Sequence, residues 1–225
     1  MPMLKMAVQA LTLVALAPLI QGFIQWSKAR LQNRRGPAPW QPYHNLLKLL
    51  GKDMVVAQTA SWISTITPFV CFGAAFAVAA LAPVFSADGG GMADLLLVVY
   101  LFGLSRFMLA LAGMDTGNSF AGMGSSREMY LSILVEPAFL LAILAAAGGA
   151  GSTELGAMAG DALKHPFTLP YVLAAVAFFL VTVAECGRIP VDNPDTHLEL
   201  TMFQEGMLLE FSGRALALLH WSVFV

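Results

Sequence analysis

Long apolar runs constrain this chain more than any other feature of its sequence. Of its 225 residues, 58% are hydrophobic and only 12% are charged. In an average soluble domain, by contrast, about 25% of the residues are charged. A helix needs about 20 mostly apolar residues to cross a bilayer, and several runs approach that length. The sequence therefore predicts an all-α, polytopic integral membrane protein with a single membrane domain over residues 1–225.

We expect about six transmembrane helices in this chain. The last span is the least regular, because its apolar part after Arg214 is too short to cross a bilayer. Either the chain is truncated there or this helix ends at half depth. The predicted spans lie near residues 4–26, 61–85, 92–114, 129–150, 167–186 and 207–225.

Basic residues are concentrated in alternate loops. The loops at 27–60, 115–128 and 187–214 contain most of the lysines and arginines, whereas the opposite loops offer little besides Lys164. Because positive charge favours the cytoplasmic side, we expect the N-terminus outside and these three loops inside, in a cell inner membrane. The Gly- and Ala-rich outer loops are predicted to be plain connectors. A net charge of -2 and the lack of a basic domain argue against nucleic acid as a partner.

The first inner loop, RRGPAPWQPYHNLLKLLGKD, combines charge, prolines and an amphipathic pattern. The prolines predict a stiff turn, and apolar residues at helical spacing then predict an amphipathic helix near 42–55. Two interpretations are open: this helix anchors the chain to the bilayer surface, or it forms a docking surface for a soluble partner. The candidate docking residues of the inner loops are Arg34, Arg35, Trp40, Tyr43, Ser125 and Arg127.

The second inner loop, DTGNSFAGMGSSREMYLS, is rich in Gly and Ser. Its composition predicts a flexible loop that another protein can approach closely. Ser125 with Glu128 fits a capping box, in which the first turn of the next helix is closed by both side chains. We therefore expect the fourth span to begin near residue 129.

Two charged residues lie inside predicted spans. Arg106 lies in the third span and Glu136 in the fourth, at similar distances from the inner ends. The two spans run antiparallel, so both residues share a depth of about 10–12 Å at 1.5 Å per residue. Charged groups inside a membrane usually pair or line a water path. The sequence predicts that Arg106 and Glu136 are neighbours and that Glu136 is functional.

An acidic stretch, ECGRIPVDNPDTHLEL, follows the fifth span. Glu185 ends that span, and Arg188 one turn later is placed to compensate it. Some of the acids suit helix N-termini, but Glu199 and Glu210 are spaced to share one helix face, which predicts an acidic line into the protein. Carboxylates that lie close together can pass protons through water. The candidate proton-transfer residues are Glu136, Glu185, Asp192, Glu199 and Glu210.

Three inner-loop motifs together resemble one family. The family is that of formate hydrogenlyase subunit 4 and hydrogenase-4 component C, and the motifs similar to it are AECGRIPVDNPDTHLELTMFQEGMLLEFSGRALALLHW, RRGPAPWQPYHNLLKLLGKD and GNSFAGMGSSREMYLSILVEPA. Its members are membrane subunits of energy-converting nickel–iron hydrogenases, and the quinone-site membrane subunit of respiratory complex I is a broader relative. The resemblance covers essentially the whole chain. Family members run longer, with about eight spans, which fits the expectation of a truncated C-terminus.

The resemblance implies a role for the chain. Family members anchor a soluble arm with hydrogenase large and small subunits and an iron–sulfur protein, and they couple its electron transfer to ions moved by antiporter-like membrane subunits. The proton-transfer candidates above match family acids on the route from the arm into the membrane. Only two cysteines are present, so a thiolate-held cluster is not expected here. We therefore expect no cofactor in this chain, and nickel–iron and iron–sulfur centres in its partners.

Two alternatives differ in class from a hydrogenase subunit. The first is the quinone-site subunit of a complex I-like NADH dehydrogenase, which a bound quinone or an NADH-oxidising partner would favour. The second is a stand-alone ion transporter, which transport by the purified chain would favour. No internal repeat is visible in the sequence, and this argues against a transporter built from inverted halves.

Overall fold

The structure is a computed structural model that describes residues 2–82, 94–164, 168–185 and 203–225. Within these ranges the chain is helical apart from the connecting segments, of which 32–40 and 51–61 are the longest, and an isolated bridge between Asp94 and Glu154. The predicted all-helical membrane fold is confirmed. The helices are α1 (Pro2–Leu31), α2 (Gln41–Leu50), α3 (Trp62–Leu81), α4 (Leu95–Asp115), α5 (Ser119–Ala150), α6 (Leu155–Lys164), α7 (Leu169–Glu185), α8 (Phe203–Leu208) and α9 (Gly213–Phe224).

Among the described residues, four helices are long and apolar enough to cross a membrane. They are Met6–Leu31 of α1 and the whole of α3, α4 and α5. The fifth predicted span corresponds to α7, which has 17 residues. The sixth overlaps α8 and α9, and α9 has only 12 residues.

Side chains cap the starts of the three central helices. Ser61, Asp94 and Asn118 each accept a hydrogen bond from the backbone N–H two residues further on, at the beginnings of α3, α4 and α5. These bonds satisfy donors that the first turn of a helix leaves without an internal partner. At the other end of α5, Gly151 adopts the left-handed conformation with a φ of 66°, which is a common way to end a helix.

The second inner loop is helical, contrary to the prediction. α5 begins at Ser119 rather than near residue 129, so Ser125 and Glu128 lie inside the helix and do not form its capping box. Gly and Ser lower local helix propensity, but small residues also let helices approach closely. Gly113 of α4 lies so near Ser125 that a Cβ atom on Gly113 would overlap the serine hydroxyl. Close packing of α4 and α5 therefore explains the small residues.

Two further segments differ from the sequence-based expectation. The outer segment after α5, predicted as a connector, contains α6. Its Leu, Ala and Met residues have high helix propensity, which the surrounding glycines obscured. The last predicted span is interrupted, because α8 ends at Leu208 and α9 begins at Gly213. Between them the Ser212 hydroxyl bonds both the N–H and the carbonyl oxygen of Val55, at 2.8 Å and 2.9 Å.

The helices α3 and α5 organise the packing. α3 contacts α1, α4 and α9, and α5 contacts α4, α6, α7 and α8. Where α4 ends, the Asp115 carboxylate accepts hydrogen bonds from the Ser61 N–H at 2.8 Å and the Ser64 hydroxyl at 2.7 Å. This carboxylate holds the end of α4 against the start of α3. Because α4 also contacts α5, it lies between α3 and α5.

The chain doubles back after α1. Asn33 reverses its direction with a φ of 58°, and α2 then packs against α1 and α9. The Tyr43 hydroxyl donates a hydrogen bond to the Ala15 carbonyl oxygen of α1. The predicted amphipathic helix near 42–55 is observed as α2, which ends at Leu50 and buries Leu46.

Candidate functional site

One arginine in the middle of α4 contacts three carboxylates. Arg106 Nε lies 3.1 Å from Glu128 Oε1, and Arg106 Nη1 lies 3.6 Å from Glu136 Oε1. Its Nη2 contacts Glu185 Oε2. The planar guanidinium presents five N–H donors in a fixed fork, so each carboxylate can approach a different nitrogen. We call these four residues the arginine cluster.

Three helices contribute to the arginine cluster. Glu128, Ser132 and Glu136 follow one another on α5 at four-residue intervals, so they lie on one face. Arg106 Nη1 donates to the Ser132 hydroxyl at 3.4 Å. Glu185 is the last residue of α7. A single side chain of α4 therefore links α5 to the C-terminal end of α7.

The members of the cluster differ in exposure. The Glu128 side chain is 10% exposed and that of Arg106 is 17% exposed, whereas the Glu136 side chain is 46% exposed. Glu136 therefore lies at the surface of this chain, within a helix long enough to span a membrane. A carboxylate facing lipid at such a position is unfavourable, so a protein neighbour or water would stabilise it.

The cluster contains more acid than base. One guanidinium faces three carboxylates, which gives a net charge of -2 when all are ionised. Glu128, Ser132 and Glu185 also line a small cleft beside Arg106. Clefts with several polar groups are where buried water binds in proteins. The arrangement can therefore exchange protons between carboxylates and water while Arg106 keeps part of the charge compensated.

The sequence predicts one of the three contacts in the arginine cluster. The shared depth of Arg106 and Glu136 predicts that they are neighbours, and the structure brings them together. Glu185, expected to pair with Arg188, contacts Arg106 instead, and Arg188 lies outside the described residues. Glu128 was missed because it was assigned to a helix cap. Its spacing of two helical turns from Glu136 would have revealed it if α5 had been extended towards the N-terminus.

Glu210 belongs to a second polar site, near the ends of α4 and α5. It lies in the turn between α8 and α9, where Asn118 Nδ2 donates to Glu210 Oε1 at 2.5 Å. The predicted acidic line along one helix face is therefore wrong at Glu210, which is not in a helix. Glu199 and Asp192 lie outside the described residues. A narrow cavity of about 20 Å³ is lined by Glu210, Thr116 and apolar residues that include Met54, Val56 and Phe211.

The predicted docking residues occupy different environments. Ser125 is buried and donates to the Ala121 carbonyl oxygen at 2.9 Å, so its assignment to a docking surface is wrong. Arg127 borders an open groove with Asn118 and Ser126 at the start of α5. The other four lie where the chain turns back after α1, with Tyr43 half-buried and the remaining three exposed: Arg34, Arg35 and Trp40. Docking by these residues stays a prediction.

In the part of the chain that the structure describes, no group of three or more His, Cys, Asp or Glu side chains could hold a metal ion. Cys71 is buried between α3 and α4, and its thiol donates to the Ser105 carbonyl oxygen at 3.5 Å. Cys186 lies outside the described residues.

Comparison with known proteins gives matches along nearly the whole chain. A family model described as NADH dehydrogenase matches residues 4–225. The chain is 37% identical to formate hydrogenlyase subunit 4 of Escherichia coli strain K12, over 99% of this chain and 73% of that protein. It is 38% identical to hydrogenase-4 component C of the same strain, over 96% of this chain and 68% of that protein.

A solved structure supports the fold independently. The chain is similar to a chain in the structure of the membrane-bound sulfane sulfur reductase, an archaeal respiratory membrane complex, with a TM-score of 0.77 and 27% sequence identity. The match covers 98% of this chain and 74% of that chain. The helical arrangement described above therefore occurs in a membrane complex of known structure.

Proposed function

Because this chain belongs to the NADH dehydrogenase family, within the group of formate hydrogenlyase subunit 4 and hydrogenase-4 component C, we propose that it is the membrane-anchor and ion-coupling subunit of a membrane-bound hydrogenase complex. In this role it holds a peripheral arm that carries the redox centres and links electron transfer there to translocation of H⁺ or Na⁺. The chain itself contributes carboxylates and a scaffold, and no redox centre. Its location is a cell inner membrane.

The arginine cluster is the single observation that carries this proposal. Ionisable residues within membrane helices are costly and usually serve ion or proton pathways. Three carboxylates around Arg106 exceed what one cation needs for compensation. A purely structural ion pair would be complete with one partner. The additional acids give the cluster the capacity to take up and release protons.

The geometry also indicates how the cluster could respond to the arm. Glu185 is the last residue of α7, directly before the acidic segment that the sequence assigns to the inner face. A change of charge or conformation at that face would act first on Glu185. If Glu185 moved away from Arg106, the guanidinium would compensate Glu128 and Glu136 more strongly, and these would bind protons less tightly. Electron transfer in the arm would in this way change the proton occupancy of the cluster.

The exposed side chain of Glu136 indicates where protons would continue. It lies on the surface of α5 within a candidate span, 46% exposed in this chain. A neighbouring membrane subunit would cover it, since lipid is an unfavourable environment for a carboxylate. We assign this position to an antiporter-like membrane subunit, which would receive protons from Glu136.

The arm would dock at the inner ends of α4 and α5. The groove that Arg127 borders is open there, and Glu210 lies close by through its bond with Asn118. The proposed partners at this surface are hydrogenase large and small subunits and an iron–sulfur protein. The groove has small residues, Gly117 and Gly122, which allow close approach of another backbone.

The cavity beside Glu210 supports one alternative function. Its largely apolar lining with a single carboxylate has the chemistry that a quinone headgroup needs, as expected for a complex I-like NADH dehydrogenase subunit, but the cavity would have to widen to admit one. The hydrogenase assignment is preferred because two hydrogenase-type relatives match at 37% and 38% identity.

Purification from native membranes in mild detergent distinguishes these functions. We expect a nickel–iron subunit to copurify with the chain and the preparation to evolve hydrogen. A copurifying flavin–NADH module, or bound quinone, would replace the proposal by the quinone-site alternative. Ion transport by the purified chain alone, without partners, would contradict both and favour a transporter.

A further inference from the structure

The turn that follows α1 gathers four cations. Lys28 and Arg30 occupy the last turn of α1, and the Arg34 N–H bonds back to the Ala29 carbonyl oxygen at 2.9 Å. This bond holds Arg34 and Arg35 next to the end of the helix. We call Lys28, Arg30, Arg34 and Arg35, together with Trp26, the α1–α2 corner.

The corner has no internal charge compensation. Among the described residues, no ion pair involves a cation of the corner. Lys28, Arg30, Arg34 and Arg35 are all exposed. Four exposed cations within eight residues produce a positive potential that attracts anions.

The depth of the corner follows from the packing of α1 on α3. Trp221 packs against Phe72 with ring centroids 5.6 Å apart and donates to the Val14 carbonyl oxygen at 2.9 Å, so Val14 and Phe72 lie near one level. Ile24 lies ten residues after Val14 in α1, and Trp62, the first residue of α3, lies ten residues before Phe72. Since the two helices run antiparallel, Ile24 and Trp62 also lie near one level. Lys28 and Arg30 then lie about 6–9 Å beyond that level at 1.5 Å per residue. The headgroup layer is about 5–8 Å thick on each side of a bilayer.

The face of α1 that carries Lys28 is apolar on the membrane side of this level. Ile20, Ile24 and Lys28 are four residues apart and lie in one line along the helix. Ile20 and Ile24 are exposed. Along this line, exposed apolar side chains are followed by an exposed cation. A phospholipid beside the helix has the matching order, with its acyl chain next to the apolar side chains and its headgroup next to the cation.

Aromatic rings lie between the apolar part of α1 and the cations at its end. Phe23 stacks on Trp26 with ring centroids 5.9 Å apart, and the Arg30 guanidinium lies 5.2 Å from the Trp26 ring centroid. Tryptophan is enriched at membrane interfaces because its ring is apolar at one end and polar at the other. The stacked pair fixes Arg30 just outside the apolar zone.

We propose that the α1–α2 corner is a binding site for the headgroup of an anionic phospholipid. Lys28 contacts its phosphate, Ile20 and Ile24 on the same line of α1 contact an acyl chain, and Arg30, Arg34 and Arg35 add positive charge from the Trp26 face and the turn. The combination of an apolar line with uncompensated cations at headgroup depth favours a phospholipid over a soluble protein, which would need no acyl-chain surface.

Native mass spectrometry of the purified full-length chain tests this site with two defined probes. Dioleoyl phosphatidylglycerol and dioleoyl phosphatidylcholine share acyl chains and differ in net charge. We expect tighter binding of the glycerol lipid. The substitution pair Lys28→Gln with Arg30→Gln should weaken its binding roughly 25-fold, at about fivefold per cation removed, while phosphatidylcholine binding stays unchanged. Lys28→Arg with Arg30→Lys preserves the charge and should bind like the unaltered chain.

A matched control separates a site from diffuse attraction. Lys48→Gln with Lys52→Gln removes the same charge from another exposed part of this region and should change binding less than about twofold. If the glutamine pair at the corner does not fold, Arg34→Gln with Arg35→Gln, which lies outside α1, should show the same direction of effect. Equal binding of both lipids, or an equal loss in the control, would overturn the proposal. So would unchanged lipid binding with loss of a copurifying soluble partner.

Discussion

Arg106 and Glu128 form an ion pair between α4 and α5 in which Nε and Oε1 are 3.1 Å apart and both side chains are largely buried. The same guanidinium contacts Glu185 at the end of α7. One side chain therefore joins three helices through charged contacts. Because the sequence distance between Arg106 and Glu185 is 79 residues, the contact constrains the tertiary arrangement and not only a local turn.

Replacing Arg106 should destabilise the chain strongly. Arg106→Gln leaves Glu128 and Glu185 without their cation, and removal of one partner from a buried ion pair costs about 3–5 kcal/mol. Arg106→Lys retains the charge but cannot offer a separate nitrogen to each carboxylate, so we expect an intermediate loss. The free energy of unfolding in detergent micelles measures both. Arg34→Gln, an exposed arginine, should stay within about 0.5 kcal/mol, and an Arg106→Gln variant as stable as this control would contradict the role of the cluster.

Gly113 should be intolerant of even one methyl group. Its Cβ position overlaps the Ser125 hydroxyl and lies 3.3 Å from Met207 Cγ, so Gly113→Ala should cost about 1–3 kcal/mol of unfolding free energy through overpacking. Gly148 has no atom within 4 Å of its Cβ position. Gly148→Ala should therefore be neutral or stabilise α5 by about 0.5–1 kcal/mol. Equal effects of the two substitutions would show that α4 and α5 are not packed as described.

Two glycines with positive φ separate backbone strain from collision. Gly213 has a φ of +52°, and a Cβ atom there would lie 2.9 Å from the Asp53 carbonyl carbon, whereas Gly151 has a φ of +66° and open space. Gly151→Ala should cost about 1–2 kcal/mol, the strain of the left-handed conformation alone. Gly213→Ala adds a collision with backbone that cannot move away, so its thermal unfolding should occur at a lower temperature. The reverse order of the two unfolding temperatures would contradict the observed contact of α9 with the loop before α3.

Asn118 combines two tasks that a substitution series can separate. Its Oδ1 accepts from the Phe120 N–H to cap α5, and its Nδ2 donates to Glu210. Asn118→Ala should lose about 1–2 kcal/mol because the cap disappears. Asn118→Asp keeps the cap but places a second carboxylate against Glu210, so it should retain helix content by circular dichroism and lose affinity for the arm. Full arm binding by Asn118→Asp would argue against the proposed docking surface.

The predictable part of the fold is the part that depends on local composition. The apolar runs identify α1, α3, α4 and α5 because length and hydropathy suffice for a span. The stretch AGMGSS was predicted as a loop because Gly and Ser lower local helix propensity. The compensating gain is tertiary: the small side chains allow Gly113 and Ser125 to touch. A rule that counts local preferences cannot include that gain.

The candidate site also has contacts that the sequence predicts and contacts that depend on how the helices pack. The depth of a residue in the membrane follows from its distance to the end of its helix. The equal depths of Arg106 and Glu136 therefore predicted that the two residues are neighbours. The contact of Arg106 with Glu185 depends on how α7 packs against α5, and no spacing along the chain reports that. Glu128 was recoverable, since it lies two turns from Glu136 on the same face.

The most direct test of the account is proton translocation by the native complex that carries Glu136→Gln. The complex is reconstituted in liposomes, and hydrogen evolution and acidification of the lumen are measured on the same preparation. We expect hydrogen evolution to persist while proton translocation falls by at least about tenfold, since a positioned proton carrier contributes about that much or more.

The matched control is Glu154→Gln, which removes a carboxylate at the start of α6, apart from the arginine cluster. It should leave both hydrogen evolution and translocation unchanged. Full proton translocation by the Glu136→Gln complex, at the rate of the unaltered complex, would contradict the claim that the arginine cluster couples electron transfer to ion movement.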